Sequence, residues 1–273
     1  MIASPQNVQM LGSGLDHPEC VCVAPDGALY AGGEGGQLYR LGPDGTQSQV
    51  AGTGGSLLGV ALDGHGRIHA CDAGRKAVLR IDPDGQVTER AGGFEIPNYG
   101  VFDAAGNLFV SDSGDYWNPT GTGKVYVIRP DNRKELFHAG PFRFANGLAI
   151  DPTGRWLYVA QSTAWNVVRV PLAHGNGTVE TIFQLPAHRV VDGLAFTADG
   201  RLIITCYRPD EVYVGHPDGR LEMLIEDLTH ELLISPTNAA LHEGKLYLAN
   251  LGGSFLSALD VGWQSGPIHR PKF

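Results

Sequence analysis

The sequence predicts an all-β fold built from one repeated unit, and three observations support that prediction. The 273 residues include 38 glycines and 17 prolines, and no long stretch has the 3.6-residue apolar spacing of a helix. An apolar strand, a turn that closes with glycine and a second apolar strand recur six times. The turn glycines lie 39 to 48 residues apart, a period typical of a six-bladed β-propeller.

The six copies follow one another in order along the chain. They read "HPECVCVAPDGALYAGG", "SLLGVALDGHGRIHACD", "IPNYGVFDAAGNLFVSD", "FANGLAIDPTGRWLYVAQ", "VVDGLAFTADGRLIITCY" and "SPTNAALHEGKLYLAN". A polar loop and a third strand follow several of them, as in "QLYRLGPDG", "AVLRIDPDG" and "KVYVIRPDN". The P-D-G and P-D-N triplets indicate tight turns, because proline sets φ and glycine or asparagine accepts a positive φ.

We interpret residues 1–273 as one propeller domain, because no linker or low-complexity segment interrupts the repeats. The predicted blades lie near 17–55, 56–95, 96–142, 143–188, 189–233 and 234–262. The sixth copy is too short for a full blade. We therefore expect residues 7–14 to supply its outer strand and close the ring, and residues 263–273 to form a peripheral tail.

One position in the first strand is polar in five of the six copies. Counting back eight residues from the turn glycine, or six in the shorter last copy, gives Glu19, Leu58, Asn98, Asn146, Asp192 and Asn238. Because the inner strands of a propeller line its channel, these side chains should converge on one mouth of that channel. We refer to these six positions as the mouth column.

The mouth column predicts a cation site. Buried carboxylates crowded together repel each other, and a cation removes that penalty. We expect one divalent ion held by Glu19, Asn98, Asn146 and Asp192, off the channel axis because Leu58 breaks the ring. Two acids and amide oxygens suit Ca²⁺ first, with Mn²⁺, Mg²⁺ or Zn²⁺ as alternatives.

Further residues are expected beside the ion, since the second strand of each copy returns to the same mouth. The ends of these strands hold Gly33, Asp72, Asp112, Gln161, Cys206 and Asn250. The predicted substrate contacts are Asn98, Asp112, Tyr116, Trp117, Trp165, Tyr207 and Arg208. The longest loop, "SDSGDYWNPTGTG", is either a lid or substrate wall, or a loop whose aromatics pack on its own blade.

Composition and missing motifs exclude several function classes. A net charge of −9 without a Lys/Arg cluster predicts neither a nucleic-acid nor a membrane partner. The four cysteines lack metal or redox spacing and no secretory leader is visible, so a cytoplasmic location is expected. Neither a G-x-S-x-G elbow nor H-E-x-x-H occurs. A small molecule is the expected partner.

The column segments resemble the senescence marker protein/gluconolactonase family of regucalcin-like propeller lactonases. "HPECV", "FANGLAIDPTG" and "VVDGLAFTADG" match its metal-binding motifs, and the likeness covers about residues 15–262. The resemblance implies Glu19, Asn146 and Asp192 as metal ligands, with Asp192 also the general base. It implies that Asn98, in "IPNYG", helps at the substrate side. Tyr99 and Ile96 replace an Asp and a substrate-gripping Arg of the sugar-lactone members, which suggests a less polar lactone.

The functional hypothesis is metal-assisted opening of a lactone. The cation would polarise the carbonyl and Asp192 would take a proton from the attacking water. One alternative is a non-catalytic or strictosidine synthase-like propeller that binds a small molecule at the same mouth. His17 precedes Glu19 by two residues, and it is either a proton shuttle or an exposed residue of the entry loop.

Overall fold

The computed structural model describes residues 3–273, which form 24 strands in six four-stranded antiparallel sheets, with short 3-10 turns at Pro5–Asn7 and Ser162–Ala164. The first half of the chain holds β1 (Gln9–Leu11), β2 (Cys20–Val23), β3 (Leu29–Gly32), β4 (Gln37–Leu41), β5 (Gln47–Gly52), β6 (Leu57–Leu62), β7 (Ile68–Asp72), β8 (Ala77–Ile81), β9 (Val87–Gly92), β10 (Pro97–Phe102), β11 (Leu108–Asp112), β12 (Gly123–Ile128) and β13 (Lys134–Phe142). The second half holds β14 (Ala145–Ile150), β15 (Trp156–Gln161), β16 (Asn166–Pro171), β17 (Glu180–Gln184), β18 (Val190–Phe196), β19 (Leu202–Arg208), β20 (Glu211–Gly215), β21 (Leu221–Glu226), β22 (Pro236–His242), β23 (Gly244–Asn250) and β24 (Leu256–Trp263).

The sheets are the blades of a six-bladed β-propeller, as the repeat predicts. The inner strands β2, β6, β10, β14, β18 and β22 contact one another in that order, and β22 meets β2 to complete the ring. The sixth blade has the order β22-β23-β24-β1, with Gln9 opposite Ala258 and Leu11 opposite Leu256. This pairing confirms that an N-terminal strand closes the ring.

The glycine turns and the apolar strands explain why this chain folds into blades. The six glycines that define the repeat all have φ between 68° and 86°, a region that suits glycine and disfavours other residues. In the described part of the chain the apolar core divides into six clusters, each between two neighbouring blades. Because both faces of each blade are buried in this way, its strands read as nearly continuous apolar runs.

The C-terminal segment crosses the end of the channel that lies opposite the mouth column. Ser265 bridges Thr197, and the Gly64 N–H donates to the Pro271 carbonyl at 2.8 Å. An Arg270 guanidinium N–H donates to the Val23 carbonyl at 2.7 Å. These partners lie where inner strands end, so residues 263–273 do not form the peripheral tail that the sequence suggested. Backbone groups accept or donate many of the segment's hydrogen bonds, and the Phe273 ring packs against His69 and Phe102, so the docking leaves no apolar period in the sequence.

An apolar cavity of about 140 Å³ lies between this segment and the mouth column. Its walls include Val60, Leu148 and Leu194, each two residues beyond a column position. Pro267 lines it on the side of the C-terminal segment. Tyr99, which stands where the family usually has an Asp, also lines this cavity. No helix among residues 3–273 is long and apolar enough to cross a membrane.

A buried polar network secures blade 2 beside the C-terminal segment. Asp63, 1% exposed, accepts hydrogen bonds from Arg67 Nε at 2.6 Å and His69 Nε2 at 3.0 Å. Arg90 Nη1 lies 3.1 Å from His69 Nδ1 and can only donate, so His69 is neutral with its proton on Nε2. Burial, together with the charge of Arg90, lowers the pKa of His69 to about 4.

Replacing Asp63 by Asn should lower the free energy of unfolding by about 3 kcal/mol, because it leaves buried cationic groups without their counter-charge. Urea denaturation at pH 7 measures the change. Asp84→Asn is the matched control, since within residues 3–273 the Asp84 side chain accepts a single bond, from the Gln86 backbone N–H in an exposed turn. We expect the control to change stability by less than about 0.5 kcal/mol. An equal decrease in the free energy of unfolding in the two variants would contradict this role of Asp63.

Candidate functional site

In five of the six blades the mouth column lies at a β-bulge of the inner strand. The pairing register with the second strand shifts at this point in blades 2 to 6. The shifts fall between Leu57 and Gly59, Pro97 and Gly100, Ala145 and Leu148, Val191 and Leu194, and Pro236 and Ala239. A β-bulge re-aims a side chain out of the regular pleat. The bulges therefore explain how apolar strands present polar residues to the channel instead of burying them between blades.

Glycines after the column residues bring the blades close together. A Cβ on Gly147, next to Asn146, would lie 2.4 Å from the Asp192 carbonyl oxygen. A Cβ on Gly193 would lie 2.7 Å from the Asn238 Cα. Any side chain at these two positions would push the inner strands apart. The N-G and D-G pairs of the sequence thus place Asn146, Asp192 and Asn238 side by side around the mouth.

Hydrogen bonds fix the orientation of the column amides. Asn146 Nδ2 donates to Asp192 Oδ2 at 3.0 Å and to Ser162 Oγ at 3.2 Å, so both of its N–H bonds are used. Ser162 Oγ in turn donates to the Val191 carbonyl at 2.7 Å, just before Asp192. Ser162 therefore holds two neighbouring column positions at once. Sequence reasoning missed it, because a serine at the end of a strand carries no distinctive pattern.

One oxygen in each of four column residues is buried and has no hydrogen-bond partner within residues 3–273. These atoms are Asn98 Oδ1, Asn146 Oδ1, Asp192 Oδ1 and Asn238 Oδ1. The four residues are 0% to 4% exposed. A buried acceptor without a partner costs about 1–3 kcal/mol, which four neighbouring residues would not share by accident. A hard divalent cation satisfies such oxygens together, so the donor set fits Ca²⁺ or a similar ion.

The pKa values of both column carboxylates are raised when no cation is present. Burial raises the pKa of Asp192 to about 7, against the opposing hydrogen bond from Asn146. Burial, and then the charges of Asp192 and Glu34, hold the pKa of Glu19 well above its ordinary range. A cation bound here would oppose both effects, because it would favour the ionised carboxylates. Its binding would then release protons.

Four of the six residues predicted at the ends of the second strands hold the backbone of their own blade. The Asp112 carboxylate accepts the N–H of Ile96 at 2.6 Å and that of Glu95 at 3.0 Å. The same kind of bond joins Asp72 to Ser56 N at 2.9 Å, Gln161 to Arg143 N at 2.8 Å and Asn250 to Ile234 N at 3.1 Å. Asp112 is therefore not placed as the substrate contact that we predicted, because its oxygens are committed to the segment leading to Asn98.

Aromatic residues form part of the rim above the column. Tyr116 makes edge-to-face contacts with Trp117 and Phe144, with ring centroids 5.0 Å apart in each pair. Burial, and then the neighbouring Tyr207, raise the pKa of Tyr116, while Arg208 opposes this shift. Tyr116, Tyr207 and Arg208 are thus brought together from blades 3 and 5. Sequence reasoning missed Phe144, two residues before Asn146.

Two other predicted aromatics are placed differently. Trp117 is 85% exposed at the tip of the long loop. Trp165 packs against His188 at a centroid distance of 4.7 Å. His17 is exposed and lies 2.9 Å from Asp16, whose hydrogen bond raises the pKa of His17. This placement favours the exposed entry-loop alternative for His17.

Comparison with known proteins agrees with this fold. Lactonase drp35 of Staphylococcus aureus strain USA300 is 27% identical over 142 residues, 48% of this chain and 43% of that protein. The match thus spans less than half the length of that relative. A gluconolactonase from Xanthomonas campestris has a TM-score of 0.79 at 20% identity, covering 93% of this chain and 89% of the other. The calcium-binding protein regucalcin of Agrobacterium tumefaciens strain C58 has a TM-score of 0.77 at 17% identity, covering 97% and 98%. At these identities the structural likeness shows the fold alone.

Two family models match the sequence. A strictosidine synthase-like N-terminal model matches residues 6–41. The model described as SMP-30/Gluconolactonase/LRE-like region matches residues 34–228, well over half of the chain. That longer match includes Asn98, Asn146 and Asp192, the three column residues in blades 3 to 5. The chain belongs to the SMP-30/gluconolactonase/LRE-like family.

Proposed function

We propose that this protein is a divalent-metal-dependent lactonase. The observation that carries the proposal is the set of four buried oxygens that have no hydrogen-bond partner among residues 3–273. They lie beside a second carboxylate, Glu19, at one mouth of the channel. Membership of a family that includes gluconolactonases supports the reaction class. Similarity to the S. aureus lactonase and the X. campestris gluconolactonase supports it too.

Glu19, Asn98, Asn146 and Asp192 would hold the ion, most readily Ca²⁺. A divalent ion here would polarise the lactone carbonyl and stabilise the oxyanion that forms on it. Asp192 accepts a proton from the attacking water, while Asn146 Nδ2, bound to Asp192 Oδ2, keeps the carboxylate in place. The water oxygen would bond to the carbonyl carbon, the ring C–O bond would break, and the ring oxygen would take up the proton that Asp192 received, so that Asp192 is ionised again. The product is a hydroxy acid.

The rim favours a lactone with an apolar substituent. Tyr116, Phe144 and Tyr207 offer aromatic surface, and Arg208, whose guanidinium lies 5.2 Å from the Tyr207 ring centre, is the cationic group beside them. Ile96 stands where sugar-lactone members often carry a gripping arginine. We propose that a substituted ring packs on Tyr116 and Tyr207, with Asn98 at the substrate side of the ion.

Hydrolysis assays on chelator-treated protein test this function. We expect opening of a phenyl-substituted butyrolactone to cease after chelation, to return with Ca²⁺, and to exceed that of δ-gluconolactone. Hydrolysis that survives chelation would exclude the metal mechanism. Ion binding without turnover of any lactone would favour a ligand-binding propeller. The match over residues 6–41 supports one further alternative, a strictosidine synthase-like condensing enzyme, whose activity would not depend on the ion.

A further inference from the structure

We propose that Asn238 of blade 6 supplies a further oxygen ligand to the same ion, so that five of the six blades contribute to the site. This inference rests on the proposed function, because it concerns the ion that the lactonase would use. It adds a residue beyond Glu19, Asn98, Asn146 and Asp192. Its evidence lies in the position of Asn238, the orientation of its amide and the absence of another partner within the described chain.

Asn238 lies between the two carboxylate residues in the ring of inner strands. On one side, Asn238 Cα is 2.7 Å from the place where a Cβ on Gly193 would lie, next to Asp192. On the other side, the backbone nitrogen of Asn238 is 3.4 Å from the Glu19 carbonyl oxygen. Asn238 is therefore next to the centre of the proposed site.

The amide of Asn238 has one defined orientation. Its Nδ2 donates to the Glu19 carbonyl oxygen at 2.8 Å, and a carbonyl can only accept. The Oδ1 atom therefore faces away from that carbonyl. Oδ1 is buried and has no hydrogen-bond donor within residues 3–273, and the residue is 0% exposed. Asn98 and Asn146 show the same signature of a buried, unpartnered amide oxygen.

A clamp on the Glu19 backbone does not explain why this residue is an asparagine. Thr237 Oγ1 already donates to the same Glu19 carbonyl oxygen, at 2.7 Å. An asparagine adds a second polar atom, and burying that oxygen beside two carboxylates is unfavourable unless a cation faces it. The structure thus gives Asn238 two contacts: its nitrogen holds Glu19, and its oxygen binds the ion.

An additional neutral ligand has a consequence for metal preference. Ca²⁺ accepts six to eight oxygens in flexible geometry, whereas Mg²⁺ requires near-octahedral geometry and retains several waters. A fifth protein side chain therefore favours the larger ion. Blade 2, which contributes Leu58, is left as the open side of the site. We expect loss of Asn238 Oδ1 to weaken Ca²⁺ binding more than Mg²⁺ binding.

Calorimetric titration of chelator-stripped protein with Ca²⁺ tests the inference through three variants. Asn238→Ala removes both contacts and should raise Kd about 10- to 100-fold. Asn238→Asp keeps the oxygen but loses the donor, so its Kd should be at least tenfold lower than that of Asn238→Ala. Thr237→Val removes the hydroxyl that donates to the same Glu19 carbonyl and lies 3.5 Å from the Ala249 carbonyl, and its Kd should stay within about threefold of wild type.

Three results would overturn the role of Asn238. The first is a Kd for Asn238→Ala within threefold of wild type. The second is an equal increase in Kd in Asn238→Ala and Thr237→Val. The third is a Kd for Asn238→Asp that is no lower than that for Asn238→Ala. Thermal unfolding in chelator checks that each variant is folded before titration. If wild type itself binds no ion, the proposed function fails. If wild type binds Ca²⁺ and Asn238→Ala binds it equally well, only this inference fails.

Discussion

Replacing Asp192 by Asn should lower kcat for lactone hydrolysis about a thousandfold at saturating Ca²⁺. The substitution removes the group that accepts a proton from water, and general bases of this kind contribute roughly 10²- to 10⁴-fold. Asparagine keeps a side-chain oxygen of the same size, so the ion should still bind, although more weakly. Rates measured with the phenyl-substituted butyrolactone over a Ca²⁺ titration separate loss of the base from loss of the ion.

Asp103→Asn is the matched control for this experiment. Asp103 accepts the N–H groups of Ala105 and Asn107 in a turn at the opposite end of blade 3. The kcat of Asp103→Asn should stay within about twofold of wild type, because the hydrogen bonds of Asp103 within the described chain lie in that turn. An Asp192→Asn enzyme that keeps the wild-type rate with its ion bound would show that Asp192 is not the base.

The second large effect is a change in the sign of a stability difference. Without divalent ions at pH 8, Asp192→Asn should be more stable than wild type by about 4 kcal/mol at most, because it removes a buried charge. With Ca²⁺ in excess, wild type should be the more stable protein, since only its ionised carboxylate gains the full attraction of the cation. Urea unfolding with and without chelator measures both differences.

The pH dependence of that difference follows from the raised pKa. In the folded, ion-free protein the pKa of Asp192 is about 7, compared with 3.8 for an ordinary Asp. Between these values the folded state binds more protons than the unfolded state, so the contribution of Asp192 to stability falls as pH rises from about 4 to 7. The advantage of Asp192→Asn in chelator should therefore be small at pH 4.5 and largest at pH 8.

Comparing the two proteins at each pH isolates Asp192 from other titrating groups. His69 acts in the opposite direction, because its lowered pKa makes stability rise between about pH 4 and 6.5. That contribution is common to wild type and Asp192→Asn, and so it cancels in the difference. An advantage of the variant that is equal at pH 4.5 and pH 8 would contradict the raised pKa of Asp192.

The fold could be predicted because its signal repeats along the chain. Each turn glycine marks a strand reversal that needs a positive φ, and six such reversals at one period indicate six blades. The short last copy requires an extra strand, which the N-terminal segment supplies through β1. The docking of residues 264–273 could not be predicted. Bonds such as that from Gly64 N–H to the Pro271 carbonyl use backbone groups that every residue has.

The positions of the column residues could be predicted from the sequence, but their hydrogen-bond partners could not. A polar residue at one position of an apolar strand identified Asn98, Asn146 and Asp192 as a group. The role of Asp112 was not visible, because a carboxylate at a strand end looks the same whether it binds substrate or backbone. The orientation of Asn238 depends on which carbonyl the neighbouring blade presents, and only the folded ring brings Glu19 to it.

Metal content is the most direct test of the central claim, that the mouth column holds a cation. Chelator-stripped wild type and Asp192→Ala would each be exchanged against Ca²⁺, Mn²⁺ or Zn²⁺ and examined by native mass spectrometry. We expect about one ion per chain in wild type, bound most tightly as Ca²⁺, and none retained in Asp192→Ala. No ion in either protein, or an ion retained equally in both, would contradict the account.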